Sequence, residues 1–416
     1  MAAMKSRYHH EIPEHDPTLT HVERGSPMGE MLRRYWQPVC TTDEVGDLPK
    51  RVRIMCEDLV VFRDGAGKTG CLELHCPHRG TSLEWGRVEE DGLRCCYHGW
   101  KFATDGQCID MACETPEFRE KMDVWQPGYP THEYGGLVFI YMGPPAEMPL
   151  FPMYDILDTR YRDDVELRGM RLWEDHAIGY VRDCNWLQHY ENVIDAYHLL
   201  ILHAANSGDQ FGSVVTTTGW PDLDFEETDL GVRYNMRRDL PNGNRLERHA
   251  EVVLPNISLI PSIHEQGTDA KHQSRATEVT WCVPVDNEHL YGISIVAWPK
   301  DATGKPVDGW KPGTDTVTDI RPGNLRERPY EDKQRSPDDM EAQESQRPIA
   351  IHALENLATS DRGVVLLRRQ LRRSLDRIAA GKDPANIIRD DAANQAIETH
   401  AWNTVILPNA PSEAAE

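Results

Sequence analysis

The stretch CPHRGTSLEWGRVEEDGLRCCYHGWKF, residues 76–102, decides how this sequence is interpreted. It holds two Cys-His pairs in the pattern C-x-H-x16-C-x2-H, formed by Cys76, His78, Cys95 and His98. Two thiolates and two imidazoles brought together from the tips of two hairpins satisfy the tetrahedral demand of zinc. The same ligands also suit a [2Fe-2S] cluster in which two cysteines bind one iron and two histidines bind the other. The spacing therefore predicts a metal centre and leaves zinc and iron–sulfur open.

Short β-type runs surround this stretch from about residue 51 to residue 141 and predict a small β domain. They are separated by glycine, aspartate and proline turn signals, and they read RVRIMCEDLVVFRD, CLELHC, LRCCYHGWKF and GGLVFIYMG. The four prolines of GPPAEMPLFP, residues 143–152, mark the best candidate for a linker. Ahead of the β runs, residues 28–40 are expected to form a short helix that ends near Pro38.

Beyond the linker, helical and β-type patterns together predict a second, α+β domain. Residues 185–203, NWLQHYENVIDAYHLLILH, place polar and apolar positions at helical spacing. His198 and His203 lie about 140° apart around an ideal helix, so a π-type bulge or an early helix end must intervene if both face one metal. The chain is expected to return to helix from Asp338 to about Ala380.

The composition excludes several kinds of partner. With 45 basic and 68 acidic side chains the net charge is −23, which argues against binding nucleic acid through phosphate neutralisation. Because no long apolar run and no apolar signal segment is evident, no membrane association is expected and the predicted location is the cytoplasm. Thiols stay reduced there, so the ten cysteines are expected to be buried side chains or metal ligands rather than disulfides.

The metal pattern and its flanks, CPHRGTSLEWG and CYHGWKF, resemble the two cluster loops of Rieske proteins, and zinc fingers do not share these flanks. The resemblance implies a [2Fe-2S] cluster held by Cys76, His78, Cys95 and His98. Because two neutral imidazoles replace two thiolates, such a cluster is easier to reduce and acts as an electron relay. Cys96 departs from the family pattern, and the family spacing C-x2-H favours Cys95 as the ligand with Cys96 as its buried neighbour.

The segment E-N-x-x-D-A-Y-H-x4-H, residues 191–203, looks like the catalytic helix of the Rieske non-haem iron oxygenases that hydroxylate aromatic rings. Taken alone, two histidines on an apolar helix are more often ordinary core or surface residues. The resemblance implies that His198 and His203 supply two ligands of a 2-His-1-carboxylate triad for Fe(II). Such a triad leaves positions on the iron open for O2 and substrate.

The third ligand implied by the resemblance is a carboxylate. Aligning residues 348–349 and 367–369 with the phthalate-dioxygenase branch puts Asp339 at the ligand position. Asp338 is its nearest competitor, and Asp332 is a more distant one. Aspartate is also favoured at the start of a helix, so a solvated helix N-terminus is the alternative interpretation of these residues.

Asp195 has a separate role in what the resemblance implies. In the family, the corresponding aspartate bridges a cluster histidine of one subunit to an iron-bound histidine of the next, which here pairs His98 with His198. Electrons then cross a subunit boundary, and the chain forms a ring, either a homotrimer or a dimer of trimers. Without the resemblance, Asp195 is an ordinary carboxylate on a helix surface.

The resemblance covers roughly residues 30–380 and implies an α+β chain organised as an oxygenase alpha subunit. Its expected parts are an N-terminal helical arm (1–45), an all-β Rieske [2Fe-2S] domain (46–145) and a helix-grip catalytic domain (146–416), in which an antiparallel sheet wraps a long helix. The sequence shows no flavin or nicotinamide motif. An NAD(P)H-dependent reductase, with or without a separate ferredoxin, is therefore expected to supply the electrons.

The reaction implied is O2-dependent oxygenation of a small aromatic substrate. Relatives in the phthalate branch act on aromatic carboxylates, and we expect monooxygenation first, in particular O-demethylation of a lignin-type methoxyarene, and ring cis-dihydroxylation second. A chain that used only its cluster would instead be an electron carrier or a redox sensor, but Asp339 and the second histidine pair argue against this. Arg79, Arg94 and Lys101 border the cluster loops and are candidates for docking an acidic electron donor.

Overall fold

The computed structural model describes residues 11–160, 162–171, 181–208, 214–217, 219–263, 272–310 and 328–408. Parts of the predicted arm and of the predicted catalytic domain therefore lie outside the described residues. The α-helices within these ranges are α1 Pro17–Thr20, α2 Pro27–Leu32, α3 Pro116–Arg119, α4 Trp186–Ile194, α5 His198–Leu200, α6 Val214–Thr217, α7 Tyr330–Arg335, α8 Asp339–Glu344 and α9 Arg362–Ala379.

The strands of the N-terminal part are β1 Trp36–Thr41, β2 Lys50–Ile54, β3 Glu57–Arg63, β4 Thr69–Glu73, β5 Arg87–Glu89, β6 Gly92–Arg94, β7 Trp100–Phe102, β8 Cys108–Met111, β9 Gly128–Tyr129, β10 Thr131–Tyr134 and β11 Leu137–Tyr141. Those of the C-terminal part are β12 Val165–Arg171, β13 Val181–Arg182, β14 Asp222–Glu227, β15 Gly231–Asp239, β16 Arg245–Val253, β17 Ile257–Leu259, β18 His272–Arg275, β19 Glu278–Pro284, β20 Leu290–Pro299 and β21 Trp402–Ile406.

The N-terminal part forms three small antiparallel sheets among the described residues. Their strand orders are β1-β11-β10, β2-β3-β4-β9 and β5-β6-β7-β8. The last two enclose a core of their own, to which Phe62, Leu93, Trp100 and Phe102 contribute. The prediction of a small β domain is confirmed, and its two Cys-His loops connect β4 to β5 and β6 to β7.

The helix predicted over residues 28–40 is too long. α2 starts after Ser26, whose Oγ accepts a hydrogen bond from Gly29 N, and it ends at Leu32. The following residues form β1, which pairs with the apolar strand β11. This tertiary pairing overrides the local pattern, and Pro38 is tolerated because it lies on an edge strand next to a register shift. The domain boundaries at residues 45 and 145 stay a prediction.

The C-terminal part is built on one large antiparallel sheet. Its described strands run in the order β12-β20-β19-β17-β16-β15-β14, with β13, β18 and β21 paired at the sides. On one face, α4 contacts β16 and β19, and α9 contacts β14 and β15. On the other face, Trp281 of β19 meets Phe139 of β11, with ring centroids 5.3 Å apart. The predicted α+β class, with an antiparallel sheet holding helices, is confirmed.

The helix expected from Asp338 to about Ala380 is interrupted. α8 ends at Glu344, and two short 3-10 turns precede α9, which runs from Arg362 to Ala379. Pro348 explains the interruption, because proline has no N–H to donate and disfavours helix in the residue before it. No helix in the described ranges is both long enough and apolar enough to cross a membrane.

The two parts touch backbone to backbone at a pair of glycines. Gly136 lies in the two-residue turn between β10 and β11, where both glycines adopt left-handed φ values of +57° and +83°. Gly169 lies on β12 against this turn. A Cβ atom added at Gly169 would fall 2.3 Å from the carbonyl oxygen of Gly136. The absence of a side chain at Gly169 is therefore what lets the turn seat on the large sheet.

Replacing Gly169 by alanine is expected to destabilise the protein by about 1–3 kcal/mol, because the backbone on both sides of the contact would have to move. Gly46→Ala is the matched control, since a Cβ atom there meets nothing within 4 Å. Thermal unfolding of the two variants and the wild type checks this. Equal unfolding midpoints for the two variants would show that the contact is not tight.

Candidate metal centres

Cys76 and His78 lie on a tight loop that follows β4. The amide of Cys76 donates to the carbonyl of Thr81 at 2.9 Å, and the amide of Gly80 donates to the carbonyl of Cys76 at 2.8 Å. Gly80 has φ +72°, a left-handed conformation that favours glycine. These bonds turn the chain so that Cys76 and His78 are held by the backbone of their own loop.

The loop between β6 and β7 repeats this hydrogen-bonding pattern at Cys95. Its amide donates to the carbonyl of Trp100 at 2.8 Å, and the amide of Gly99 donates back to the carbonyl of Cys95 at 3.1 Å. Gly99 also has φ +72°. Cys95, and not Cys96, therefore occupies the position equivalent to the cysteine of the first loop.

The two loops bring their sulfur and nitrogen atoms together. Cys76 and Cys95 are both buried, and burial together with the neighbouring thiol raises the pKa of Cys76 to about 12. The rings of His78 and His98 lie 4.5 Å apart between centroids, and Trp100 stacks on His78 at 4.6 Å. The buried Nδ1 of His78 finds no hydrogen-bond partner among the described residues. Two adjacent buried thiols beside an unpartnered imidazole nitrogen fit a metal cluster held by cysteine and histidine.

The expectation that Cys96 is a buried neighbour is wrong, because its side chain is exposed. It lies at the hairpin tip, where the residue after Cys95 points away from the loop interior. The thiol next to the centre is thus open to solvent, while the thiol of Cys95 is covered.

Two of the three basic residues considered for donor docking have carboxylate partners within this chain. Arg79 is exposed and lies over the ring of Tyr97, 5.5 Å from its centroid. Arg94 and Lys101 are mostly buried, and their charges are largely neutralised. Their ion pairs are Arg94–Glu89 at 2.8 Å, Arg94–Asp110 at 2.8 Å and Lys101–Asp91 at 2.7 Å. Of the three, Arg79 is the one for which the described part of the chain shows no carboxylate partner.

The helix that carries the second histidine pair is irregular, as the sequence required. Asn185 caps the start of α4, where its side chain accepts from the amide of Leu187 at 3.1 Å, and Asp195 follows the last residue of α4 in extended conformation. α5 follows, and residues Ile201–Asn206 form a π-helix. Because hydrogen bonds in a π-helix join residues five apart, this winding brings a residue and its fifth neighbour onto the same side.

This winding directs His198 and His203 at one carboxylate, Asp339. His198 Nε2 lies 3.6 Å from Asp339 Oδ1, and His203 Nε2 lies 3.4 Å from Asp339 Oδ2. One donor atom from each of the three side chains lies within 4.8 Å of the other two. The side-chain Nδ2 of Asn192 donates to Asp339 Oδ1 at 3.0 Å and orients the carboxylate. Two imidazoles and one carboxylate fit a divalent iron held on one face.

The neighbouring aspartates have other partners. Asp338 caps α8: its side chain accepts from the amide of Asp339, and its own amide donates to Glu341 at 2.8 Å. The helix-start interpretation therefore describes Asp338, while Asp332 pairs with Arg335 on the surface. Burial acts to raise the pKa of Asp339, but the hydrogen bond and charge of His203, with the charge of His198, outweigh it and hold this pKa well below its usual range.

Asp195 ends α4 on the outer side of this site. Its carboxylate accepts from the amide of Tyr197 at 3.0 Å and lies 3.9 Å from His198 Nδ1, which also hydrogen-bonds to the carbonyl of Asp195. The side chain is 36% exposed and lines a groove of about 540 Å³. Within the described residues, no hydrogen bond or ion pair joins His98 to Asp195 or His198, so the chain does not itself connect these residues.

A second group with metal-binding side chains, missed from the sequence, lies beside the same groove, which Glu191 and Glu355 line. Glu191, His352 and Glu355 bring their donor atoms within 4.8 Å of one another. The guanidinium of Arg368 on α9 already bonds both carboxylates, at 2.5 Å each. In the sequence, Arg368 belongs to the arginine-rich run 368–373, and that run is the feature that hinted at carboxylate partners nearby. The group is an ion-pair network, because Arg368 supplies the positive charge that a cation would bring.

The comparisons with known proteins agree on one family. The family model described as the Rieske [2Fe-2S] domain matches residues 35–130. The chain is 41% identical to the phenoxybenzoate dioxygenase subunit alpha of Ectopseudomonas oleovorans, over 93% of this chain and 91% of the relative. It is 40% identical to the tert-butanol monooxygenase / tert-amyl alcohol desaturase oxygenase subunit of Aquincola tertiaricarbonis, over 89% and 77%.

A third relative is the 5,5'-dehydrodivanillate O-demethylase oxygenase subunit of a Sphingobium species, 34% identical over 92% of this chain and 85% of the relative. Among solved structures, dicamba monooxygenase bound to dicamba has a TM-score of 0.58 at 20% identity, over 84% of this chain and 99% of that one, and it shows the fold. With thiol–imidazole and imidazole–carboxylate centres in one α+β chain, the protein belongs to the Rieske non-haem iron oxygenases as an oxygenase subunit that uses a [2Fe-2S] cluster, a mononuclear iron and O2.

Proposed function

We propose that this subunit oxygenates a small aromatic carboxylate at a mononuclear iron held by His198, His203 and Asp339. The observation that supports this most directly is the 3.4–3.6 Å approach of both imidazoles to that one carboxylate. When bound, the cluster relays single electrons and the iron activates O2 beside the substrate. The residues of this chain hold the ligands in place, with Asn192 orienting the carboxylate.

The cluster ligands in this proposal are Cys76, His78, Cys95 and His98. Their loops share one hydrogen-bonding pattern, which supports a matched pair of ligands from each loop. A zinc site would use the same four side chains. The match of the Rieske family model over residues 35–130 favours iron–sulfur.

The names of the relatives support an oxygenase and divide on the substrate. The phenoxybenzoate relative is named for an aromatic carboxylate, which supports the aromatic acid. The tert-butanol relative is named for an aliphatic alcohol at nearly equal identity. We therefore place the aromatic acid first and keep an aliphatic alcohol as an outcome that the experiment below distinguishes.

Two reaction types compete within this proposal. We place monooxygenation first, in particular O-demethylation of a lignin-derived methoxyarene, which the dehydrodivanillate relative supports. Ring cis-dihydroxylation is the second candidate, and the relative named as a dioxygenase, at 41% identity, favours it. An electron carrier or redox sensor is disfavoured, because neither needs the His198–His203–Asp339 site.

The subunit needs electrons from another protein, since its relatives are named as subunits. We propose an NAD(P)H-dependent reductase, with or without a separate ferredoxin, in the cytoplasm. We further propose a homotrimer, or a dimer of trimers, in which Asp195 bridges His198 to His98 of the next copy. The groove beside Asp195 and the lack of a hydrogen bond or ion pair from it to His98 within the described chain support this arrangement.

Cys95→Ser is expected to abolish the visible absorption of the cluster, because a hydroxyl is a poor substitute for the buried thiolate ligand. Cys96→Ser is the matched control and is expected to keep the full spectrum, since its thiol is exposed. Absorption spectra and iron content of the purified variants check this. Loss of the cluster in the Cys96 variant alone would reverse the ligand assignment.

Single-turnover product analysis tests the reaction. The iron-loaded protein is reduced chemically, mixed with ¹⁸O₂ and a panel of methoxylated and unmethoxylated benzoates and tert-butanol, and the products are identified by mass. We expect a phenol and formaldehyde from a methoxybenzoate. A diol with two labelled oxygens would establish dihydroxylation instead, and product from the alcohol alone would contradict the aromatic substrate.

Mixing two inactive variants tests the bridge between subunits. Cys95→Ser removes the cluster and Asp339→Ala removes the iron, so neither works alone. If electrons cross the boundary of a ring, co-expressed mixed oligomers should recover roughly a quarter of wild-type activity, because about one interface in four joins an intact cluster to an intact iron. Asp195→Asn in the iron-bearing chain should reduce this recovery. No recovery in oligomers of confirmed mixed composition would contradict transfer between subunits.

A further inference from the structure

The buried side chain of Gln343 joins the short helix that carries Asp339 to α4, in addition to the bond from Asn192 to Asp339. Gln343 lies one helical turn after Asp339 and is 1% exposed. Its Oε1 accepts from Arg182 Nη1 at 2.9 Å and lies 3.1 Å from His189 Nδ1. Its backbone carbonyl accepts from the side chain of Gln188 at 2.9 Å. The side-chain oxygen of Gln343 thus contacts α4 and β13, the strand before it, and its backbone carbonyl contacts α4 as well.

The orientation of the Gln343 amide follows from its neighbour. A guanidinium has only donors, so the atom that faces Arg182 is the oxygen. In this orientation one buried group, Nε2, has no partner among the described residues. The reverse orientation would point the amino group at the guanidinium of Arg182, which has only donors, and would lose that hydrogen bond. The arrangement around Arg182 therefore selects a single orientation.

The same oxygen determines the tautomer of His189. Since Gln343 Oε1 can only accept, the Nδ1 of His189 carries the proton. His189 is 8% exposed and Arg182 is 6% exposed, so neither can exchange this oxygen for bulk water without moving. Removing the oxygen would take one acceptor away from each of two buried side chains, which costs more than the loss of an exposed hydrogen bond.

This contact matters because α8 is short and keeps its position through side-chain contacts, which include Asn192 to Asp339 and Arg328 to Glu341 as well as those of Gln343. It spans six residues, Asp339–Glu344, and helices this short depend on tertiary contacts for their stability. Asp339 lies at its first position and Gln343 at its fifth, on the same helical face. A displacement of Gln343 would therefore be transmitted through one turn to the carboxylate that meets His198 and His203.

We infer that Gln343 is a positioning residue for the mononuclear iron: through the acceptor oxygen that it offers to Arg182 and His189, it sets where Asp339 stands relative to the two histidines. This inference rests on the proposed function, in which Asp339 is an iron ligand. Gln343 itself need not touch iron or substrate.

Gln343→Leu removes the acceptor and keeps similar bulk, and we expect it to weaken Fe(II) binding by about tenfold or more, as with other residues that orient metal ligands. Chelator competition measures the affinity, and the absorption spectrum of the Co(II)-substituted protein reports the ligand geometry, which a purely structural role would not change. Gln343→Glu restores an acceptor for both donors and is expected to recover the Fe(II) affinity and the Co(II) spectrum.

Ser345→Ala is the matched control on the same helix end, because Ser345 is exposed and its hydroxyl donates to the carbonyl of Ala342, a bond within the same helix. Thermal unfolding, compared with the wild type, verifies folding of the C-terminal part in every variant. If Gln343→Leu does not accumulate, Gln343→Asn replaces it: it keeps the amide but is one methylene too short, and the same loss is expected.

Wild-type Fe(II) affinity and Co(II) spectrum in the Leu or Asn variant would overturn the inference, and so would a Glu variant no better than Leu. Asp339→Ala separates this failure from failure of the proposed function. If Asp339→Ala loses iron and Gln343→Leu does not, only the role of Gln343 is wrong. If Asp339→Ala binds iron as the wild type does, the proposed ligand set is wrong.

Discussion

The departure of one helix from α-helical winding is the constraint on which the second metal centre depends. Histidines five residues apart diverge on an α-helix, so His198 and His203 meet one carboxylate because α5 passes into a π-helix, Ile201–Asn206, between them. Interrupting a helix exposes backbone groups and costs stability. Here the extended Asp195 offers its carbonyl to His198 Nδ1, and its carboxylate satisfies the amide of Tyr197.

At the cluster, local turn geometry brings the ligands together, and no change of helix winding is involved. Two small loops, each closed by the same pair of backbone hydrogen bonds and a left-handed glycine, present Cys76 and Cys95 side by side. The ligands there depend on local turn geometry, whereas Asp339 is brought to its histidines by contacts between distant elements. The positions of the cluster ligands thus depend on each hairpin by itself, whereas the positions of the iron ligands depend on the packing of the whole domain.

Several charged side chains surround the iron site, and most of them are paired with a side chain of opposite charge. Arg368 bonds Glu191 and Glu355, which closes a potential cation site beside the groove. Arg182 lies near Asp339 and, through Gln343, links the strand before α4 to α8. Arginines engage the carboxylates of Glu191 and Glu355, and the carboxylate of Asp338 caps α8. The carboxylate of Asp339 is the one that approaches both imidazoles.

The sequence by itself determined the family, the fold class and the two Cys-His loops, because short contiguous spacings encode hairpin tips directly. It also required an irregularity in the helix between His198 and His203 if both were to face one metal. Only the tertiary structure decided that Asp338 caps a helix while Asp339 faces the histidines, that Cys96 is exposed, and that residues 36–41 form a strand. Each of these depends on which distant segment packs against the residue, and no local pattern records that partner.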